Sequence, residues 1–179
     1  MWNKFYCKSW WFGLKVLGIT LLAFCPIIVG LIKSNSLKQS QIKIEKIIEL
    51  INWIIIEIKY KKTDIYSMLN ILSFEENFKN LEFLQYFKNK SNLKPFPKAW
   101  KTAIENWNCT IPKHEKNLLK SLSNILGTTD SNGQIFSLKH LKLRFEESLE
   151  HAKSLYIKQG KISRCLGTLF GIAIFIIFI

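Results

Sequence analysis

Two stretches without a charged side chain, one near each end of this 179-residue chain, limit the folds open to it more than any other feature. They run from Val16 to Ile32 and from Cys165 to Ile179. As α-helices, these stretches of 17 and 15 residues would be about 25 Å and 22 Å long, against a hydrocarbon core of about 30 Å. The second stretch is short, but a start nearer Ile162 or local thinning of the bilayer relieves part of the mismatch. We therefore predict a transmembrane helix at each end of the chain.

Each predicted span has an alternative. A cleaved signal peptide would also begin with positive charges followed by an apolar run, but no small-residue cleavage site follows the first stretch. A buried core helix at the second stretch would need a groove that covers its phenylalanine and isoleucine side chains on all sides. We favour membrane-spanning helices over both alternatives.

Helical periodicity fills the region between the two spans. Apolar residues recur at steps of three and four from Ser34 to Tyr60, in a helix that continues from the first span, and again from Ile135 onward. Two shorter helices are predicted next: one capped by Thr63 or Asp64 that carries Ile65, Met68, Leu69 and Leu72, and one capped by Ser73 that carries Phe78, Leu81, Leu84 and Phe87. Pro95 and Pro97 are predicted to start a further helix, and after a break from Asn108 to Pro112 another is predicted over residues 113–126.

No segment shows the alternation that a strand requires. We therefore predict an all-α fold: an N-terminal segment and transmembrane helix over residues 1–33, a helical bundle over residues 34–161, and a C-terminal transmembrane helix over residues 162–179.

The entry to the last long helix carries its own signals. Gly127 is suited to the C′ position that ends the preceding helix at Leu126. Asp130 or Ser131 can accept hydrogen bonds from free backbone N–H groups, and Ser131 with Gln134 three residues on fits a capping box. We single out Leu126, Gly127, Asp130 and Gln134 as a helix entry or an interface.

Gly167 and Gly171 lie one turn apart in the second apolar stretch. Small residues at this spacing allow the backbones of membrane helices to approach closely. Generic helix packing explains such a pair equally well. We predict that these two glycines take part in the packing of membrane helices.

The formal net charge of +13 invites a nucleic-acid-binding interpretation. The distribution argues against it, because the basic residues between the two spans are interspersed with all 13 acidic residues. Anionic lipid headgroups are a simpler partner for the positive charge. We predict lipid headgroups, and no nucleic acid, as partners.

Nothing in the sequence indicates catalysis. The three histidines stand alone on charged helices, adjacent carboxylates point in different directions on a helix, and no glycine-rich phosphate loop is present. The four cysteines show no metal-ligand spacing. We therefore predict no enzyme activity, no cofactor and no metal site.

A family resemblance rests mainly on the C-terminal third of the chain. The pair Leu126-Gly127, then Asp130 and Gln134, a charged helix, the run Lys161 to Gly167, Gly171 and an apolar tail resemble the stage III sporulation protein AB family. Ser163 stands where the family is expected to carry an aromatic residue.

The resemblance implies a structural role rather than chemistry. It implies a bundle similar to the cytoplasmic helical domain of type II secretion inner-membrane platform proteins. The protein would be a membrane subunit of a transenvelope, secretion-like channel between mother cell and forespore during endospore formation. The implied partners are the other membrane subunits of the stage III sporulation complex and a cytosolic secretion-type ATPase.

Basic residues near the spans predict the orientation of the chain. Four lysines follow the first span and four basic residues precede the second, against three lysines before the first. We expect a multi-pass protein of the cell membrane whose bundle faces the mother-cell cytoplasm. The residues alone also allow a different function, a basic two-span membrane anchor that recruits a cytosolic partner in an unrelated system.

Overall fold

A computed structural model of the protein describes residues 3–61, 65–91, 95–127 and 130–178. Within these ranges the fold is all-α, as predicted, and contains no strand. The helices are α1 (Asn3–Tyr60), α2 (Ile65–Phe74), α3 (Phe83–Ser91), α4 (Phe96–Asn106), α5 (Lys113–Ile125), α6 (Ser131–Leu155) and α7 (Lys161–Phe178). A 3-10 turn at Glu76–Phe78 precedes α3, and a π-helical turn at Tyr156–Gly160 joins α6 to α7.

The chain divides into two compact units. One, which we call the helix pair, consists of Met1–Lys38 and Ser154–Ile179, and the other, which we call the bundle, consists of Gln39–Lys153. Two helical stretches among the described residues, Thr20–Tyr60 and Ser131–Phe178, are long and apolar enough to cross a membrane. Length and composition therefore favour association with a membrane.

The bundle buries the apolar stripe that the sequence predicts on α1. Ile47, Leu50, Ile51 and Ile54 are fully buried. The same core contains a group of large aromatic side chains from α3 and α4. Trp100 is fully buried there, and its indole N–H donates a hydrogen bond of 2.9 Å to the Leu119 carbonyl. This bond satisfies the one polar atom of a side chain that otherwise contributes apolar surface.

Prolines mark the starts of α4 and α5, as predicted. Pro95 immediately precedes α4, Pro97 lies in its first turn, and Pro112 immediately precedes α5. A proline costs little there, because the first N–H groups of a helix have no partner within the helix.

The segment from Phe78 to Phe87 differs from the single helix that the sequence predicts. Its apolar residues Phe78, Leu81, Leu84 and Phe87 are spaced by three throughout, so on one α-helix they would drift by about 60° at each step. The chain instead makes the 3-10 turn and starts α3 at Phe83, and all four side chains are buried. Of the predicted caps in this region, Thr63, Asp64 and the side chain of Ser73 lie outside the described residues.

Candidate functional site in the helix pair

Three glycines of the helix pair lie where a side chain would collide with the opposite backbone. A Cβ atom on Gly167 would stand 2.7 Å from the Pro26 carbonyl oxygen, and one on Gly171 would stand 2.7 Å from the Ala23 carbonyl oxygen. A Cβ on Gly30 would collide with the carbonyl of Ser163. We call Gly30, Gly167 and Gly171 the glycine seam.

The seam glycines bring helix backbones into direct contact. At each of them, the Cα hydrogen that occupies the place of a side chain points at a carbonyl oxygen of the other helix. Weak Cα–H···O hydrogen bonds of this kind recur where helices pack closely. In a membrane, where the hydrophobic effect does not drive helix association, such close packing is a main source of attraction.

The contact continues beyond the seam at the π-helical turn. Gly160 ends this turn, is buried, and would place a Cβ 3.2 Å from the Ser34 hydroxyl oxygen. Ser34 is itself only 5% exposed. Contacts thus pair residue 34 with 160, 30 with 163 and 23 with 171, so α7 runs antiparallel to α1 in the helix pair.

The sequence predicts only one side of this contact, Gly167 and Gly171, and not their partners on α1. A signal was present, because Ala23, Gly30 and Ser34 are small residues spaced by seven and four on an apolar helix. Pro26 is not part of that prediction either. It lies inside α1, where its missing N–H leaves the Leu22 carbonyl without its helical donor.

The residues predicted as a helix entry lie in the bundle, at the connection between α5 and α6. Leu126 is buried, and its N–H donates to the Leu122 carbonyl at 3.1 Å. Gly127 follows with a φ of +79°, a left-handed conformation that favours glycine. These two residues end α5 in the way that their sequence predicts.

Asp130 caps α6, and Ser131 is the first residue of the helix. A side-chain oxygen of Asp130 accepts a hydrogen bond of 3.3 Å from the Gly133 N–H, and its carbonyl accepts one of 3.0 Å from the Gln134 N–H. The capping box predicted for Ser131 and Gln134 requires Ser131 to precede the helix, so it does not form. All four predicted residues thus share one connection, and their role at an interface stays a prediction.

Titratable groups in the described part of the chain offer no cluster of three or more His, Cys, Asp or Glu side chains that could hold a metal ion. The three histidines are exposed. Glu57 is only 4% exposed and pairs with Lys61 at 2.8 Å.

The family model for stage III sporulation protein AB matches residues 15–179, nearly the whole chain. No curated protein and no solved structure matches the chain significantly.

Proposed function

The chain belongs to the stage III sporulation protein AB family and has a role in sporulation, and we propose that it acts as a structural subunit of a membrane channel. The channel is a transenvelope, secretion-like complex that links mother cell and forespore during endospore formation. The observation that carries the proposal is the family match, which includes both helices that are long enough to span a membrane.

The helix pair supports a structural role. Its glycine seam holds two helices together through backbone contacts, which leave little freedom for the helices to slide. A subunit that must keep its shape among other membrane subunits benefits from such a contact. The proposed partners in the membrane are the other subunits of the stage III sporulation complex.

The proposed orientation places the bundle in the mother-cell cytoplasm, with both spans crossing the same membrane. Lys33 and Lys38 follow the first span, and Lys158, Lys161 and Arg164 precede the second, all at the ends that lead into the bundle. Positive residues next to spans remain preferentially on the cytoplasmic side.

We place the docking surface for a cytosolic secretion-type ATPase on α6. Phe136 and Leu143 are 75% and 58% exposed, and they share a face because they are seven residues apart. A shallow groove of about 240 Å³ lies beside Phe136 and is also lined by His140 and Arg144. Exposed apolar anchors with a basic rim suit a partner surface that is apolar at its centre and acidic at its edge.

A crosslinking experiment in sporulating cells tests both the docking surface on α6 and the structural role in the membrane. A photoreactive residue at position 136 should crosslink the full-length protein to the cytosolic secretion-type ATPase. A matched probe at Phe74, which is 69% exposed on α2 and already contacts Lys88, should not. If neither probe captures the ATPase while the spans still crosslink to other membrane subunits, docking is wrong and the scaffold role remains.

Gene expression separates the channel from the alternative, a basic membrane anchor in an unrelated system. The channel predicts transcription confined to sporulation, beside genes for an ATPase and further membrane subunits. Constitutive expression in an organism that does not form spores would rule the channel out.

A further inference from the structure

A groove whose lining contains one cationic side chain runs along one side of the helix pair. It has a volume of about 610 Å³ and is lined by α1 from Leu22 to Lys33 and by α7 from Ser163 to Ile174. Lys33 is the only charged residue in this lining, and Ser163 adds a hydroxyl. The rest of the lining is almost entirely apolar. We infer that this groove binds one anionic phospholipid, with an acyl chain along the groove and the headgroup phosphate at Lys33 and Ser163.

The length of the groove matches one leaflet of a bilayer. Leu22 and Lys33 are separated by 11 residues, or about 16 Å along a helix. Half of a hydrocarbon core of about 30 Å is about 15 Å. Because Lys33 lies at one end of this distance, its ammonium reaches the headgroup level when the groove holds an acyl chain. A transmembrane helix of a partner protein would instead contact the helix pair across both leaflets, which is about twice the length of this groove.

The positive charge of the helix pair favours a lipid with an anionic headgroup. Residues 1–38 and 154–179 contain eight Lys and Arg residues and no Asp or Glu, so no acidic side chain of the helix pair can neutralise Lys33. Lys33 is exposed and lines the groove, where it can meet an external anion. Positive residues near the membrane surface attract anionic lipids with about 1 kcal/mol each.

A second groove in the helix pair provides an internal comparison. It has a volume of about 260 Å³, is lined by residues such as Thr20, Phe24 and Phe175, and contains no charged side chain. It therefore offers an acyl chain a surface but offers a headgroup phosphate no cation. Of these two grooves, the one at Lys33 combines the two parts that recognition of an anionic phospholipid requires.

The inference rests on the proposed insertion of the helix pair into a membrane, which is checked separately by resistance of the full chain to carbonate extraction. Lipid binding is then measured by native mass spectrometry of the detergent-solubilised full chain, titrated with phosphatidylglycerol or phosphatidylcholine. We expect the first bound phosphatidylglycerol to be at least fivefold tighter than phosphatidylcholine. Lys33→Gln should remove that preference, a loss of about fivefold or roughly 1 kcal/mol.

Two matched pairs of variants separate a site from general attraction. Lys161→Gln makes the same charge change in the helix pair, but Lys161 does not line the groove, so binding should stay within twofold. Val29→Trp fills the groove without changing charge and should weaken binding at least fivefold. Leu31→Trp adds the same bulk at an exposed position outside the groove and should not.

Several results would contradict the proposed lipid site. Equal losses for Lys33→Gln and Lys161→Gln would show a diffuse basic surface, and equal effects of the two tryptophans would show that no acyl chain occupies the groove. Equal affinity for the two lipids, or a dimer that excludes lipid, would also overturn it. Extraction of the wild-type chain by carbonate would instead refute membrane insertion itself.

Discussion

Among single residues, Asp130 has the clearest structural role, because its side chain caps α6 by accepting a hydrogen bond from the Gly133 N–H in the first turn of the helix. Asp130→Ala should destabilise the protein by about 1 kcal/mol, the usual loss for a missing N-cap. Hydrogen exchange of the first-turn amides of α6, measured on the full chain in detergent, should accelerate accordingly.

Ser131→Ala is the matched control, since Ser131 is the first residue of the helix and not its cap. It should leave exchange in this turn nearly unchanged. A larger effect for Ser131→Ala than for Asp130→Ala would show that the serine caps the helix after all. If Asp130→Ala impaired assembly without altering exchange, the residue would serve an interface instead.

An ion pair between α4 and α5 gives a second prediction for a single residue. The Lys120 ammonium lies 2.9 Å from a Glu105 carboxylate oxygen, and this hydrogen bond, with the lysine charge, lowers the pKa of Glu105 below its ordinary value of 4.5. Lys120→Gln should raise the pKa toward that value, which an NMR titration of the full chain would measure.

The lowered pKa of Glu105 determines how the contribution of this ion pair to stability changes with pH. A carboxyl group with a lowered pKa in the folded state stabilises the fold above its unfolded pKa, and this contribution is lost as the pH falls through the folded value. Because both side chains are at the surface, the effect on stability is small. Unchanged titration of Glu105 in Lys120→Gln would show that the pair does not persist in solution.

At the scale of the helices, the glycine seam gives the most direct test of how α1 and α7 pack. Gly167→Leu would push the α1 and α7 backbones apart and should destabilise the helix pair by about 1–3 kcal/mol, as overpacking does. Gly18→Leu is the matched control, because a side chain there meets nothing within 4 Å. Thermal unfolding of the full chain in detergent should distinguish the two variants.

A second measurement reports on the contact itself. Spin labels at the exposed positions Leu31 and Leu166 should move apart in Gly167→Leu and stay in place in Gly18→Leu. Equal behaviour of the two variants would mean that the helices do not rely on the seam.

Most helices could be predicted from the sequence, because apolar periodicity and proline positions are local signals. The stripe on α1 and the start of α4 after Pro95 follow from neighbouring residues alone. The break before Phe83 could not be predicted from apolar spacing alone, since burial of four side chains in the bundle decides it. The contact of Gly30 with Ser163 is likewise a pairing between distant segments, which no local pattern specifies.

At the scale of the whole molecule, the proposed topology is open to direct measurement. In a chain without its four native cysteines, a cysteine at exposed Lys139 should resist a membrane-impermeant maleimide in intact cells and react after permeabilisation. A cysteine at Lys4, ahead of the first span, should react in intact cells. Labelling of position 139 from outside would show that the bundle is not cytoplasmic.

The absence of acidic residues from the helix pair also has an electrical consequence. Five cations, Lys33, Lys38, Lys158, Lys161 and Arg164, lie at the ends that lead into the bundle, against three, Lys4, Lys8 and Lys15, ahead of the first span. If the proposed topology were inverted, the helix pair alone would carry a net two positive charges outward against the membrane potential, at about 2.3 kcal/mol per charge for each 100 mV. In the proposed topology, the membrane potential of an energised cell would therefore oppose inversion of the helix pair, and a carboxylate gained near Lys33 or Arg164 would weaken that effect.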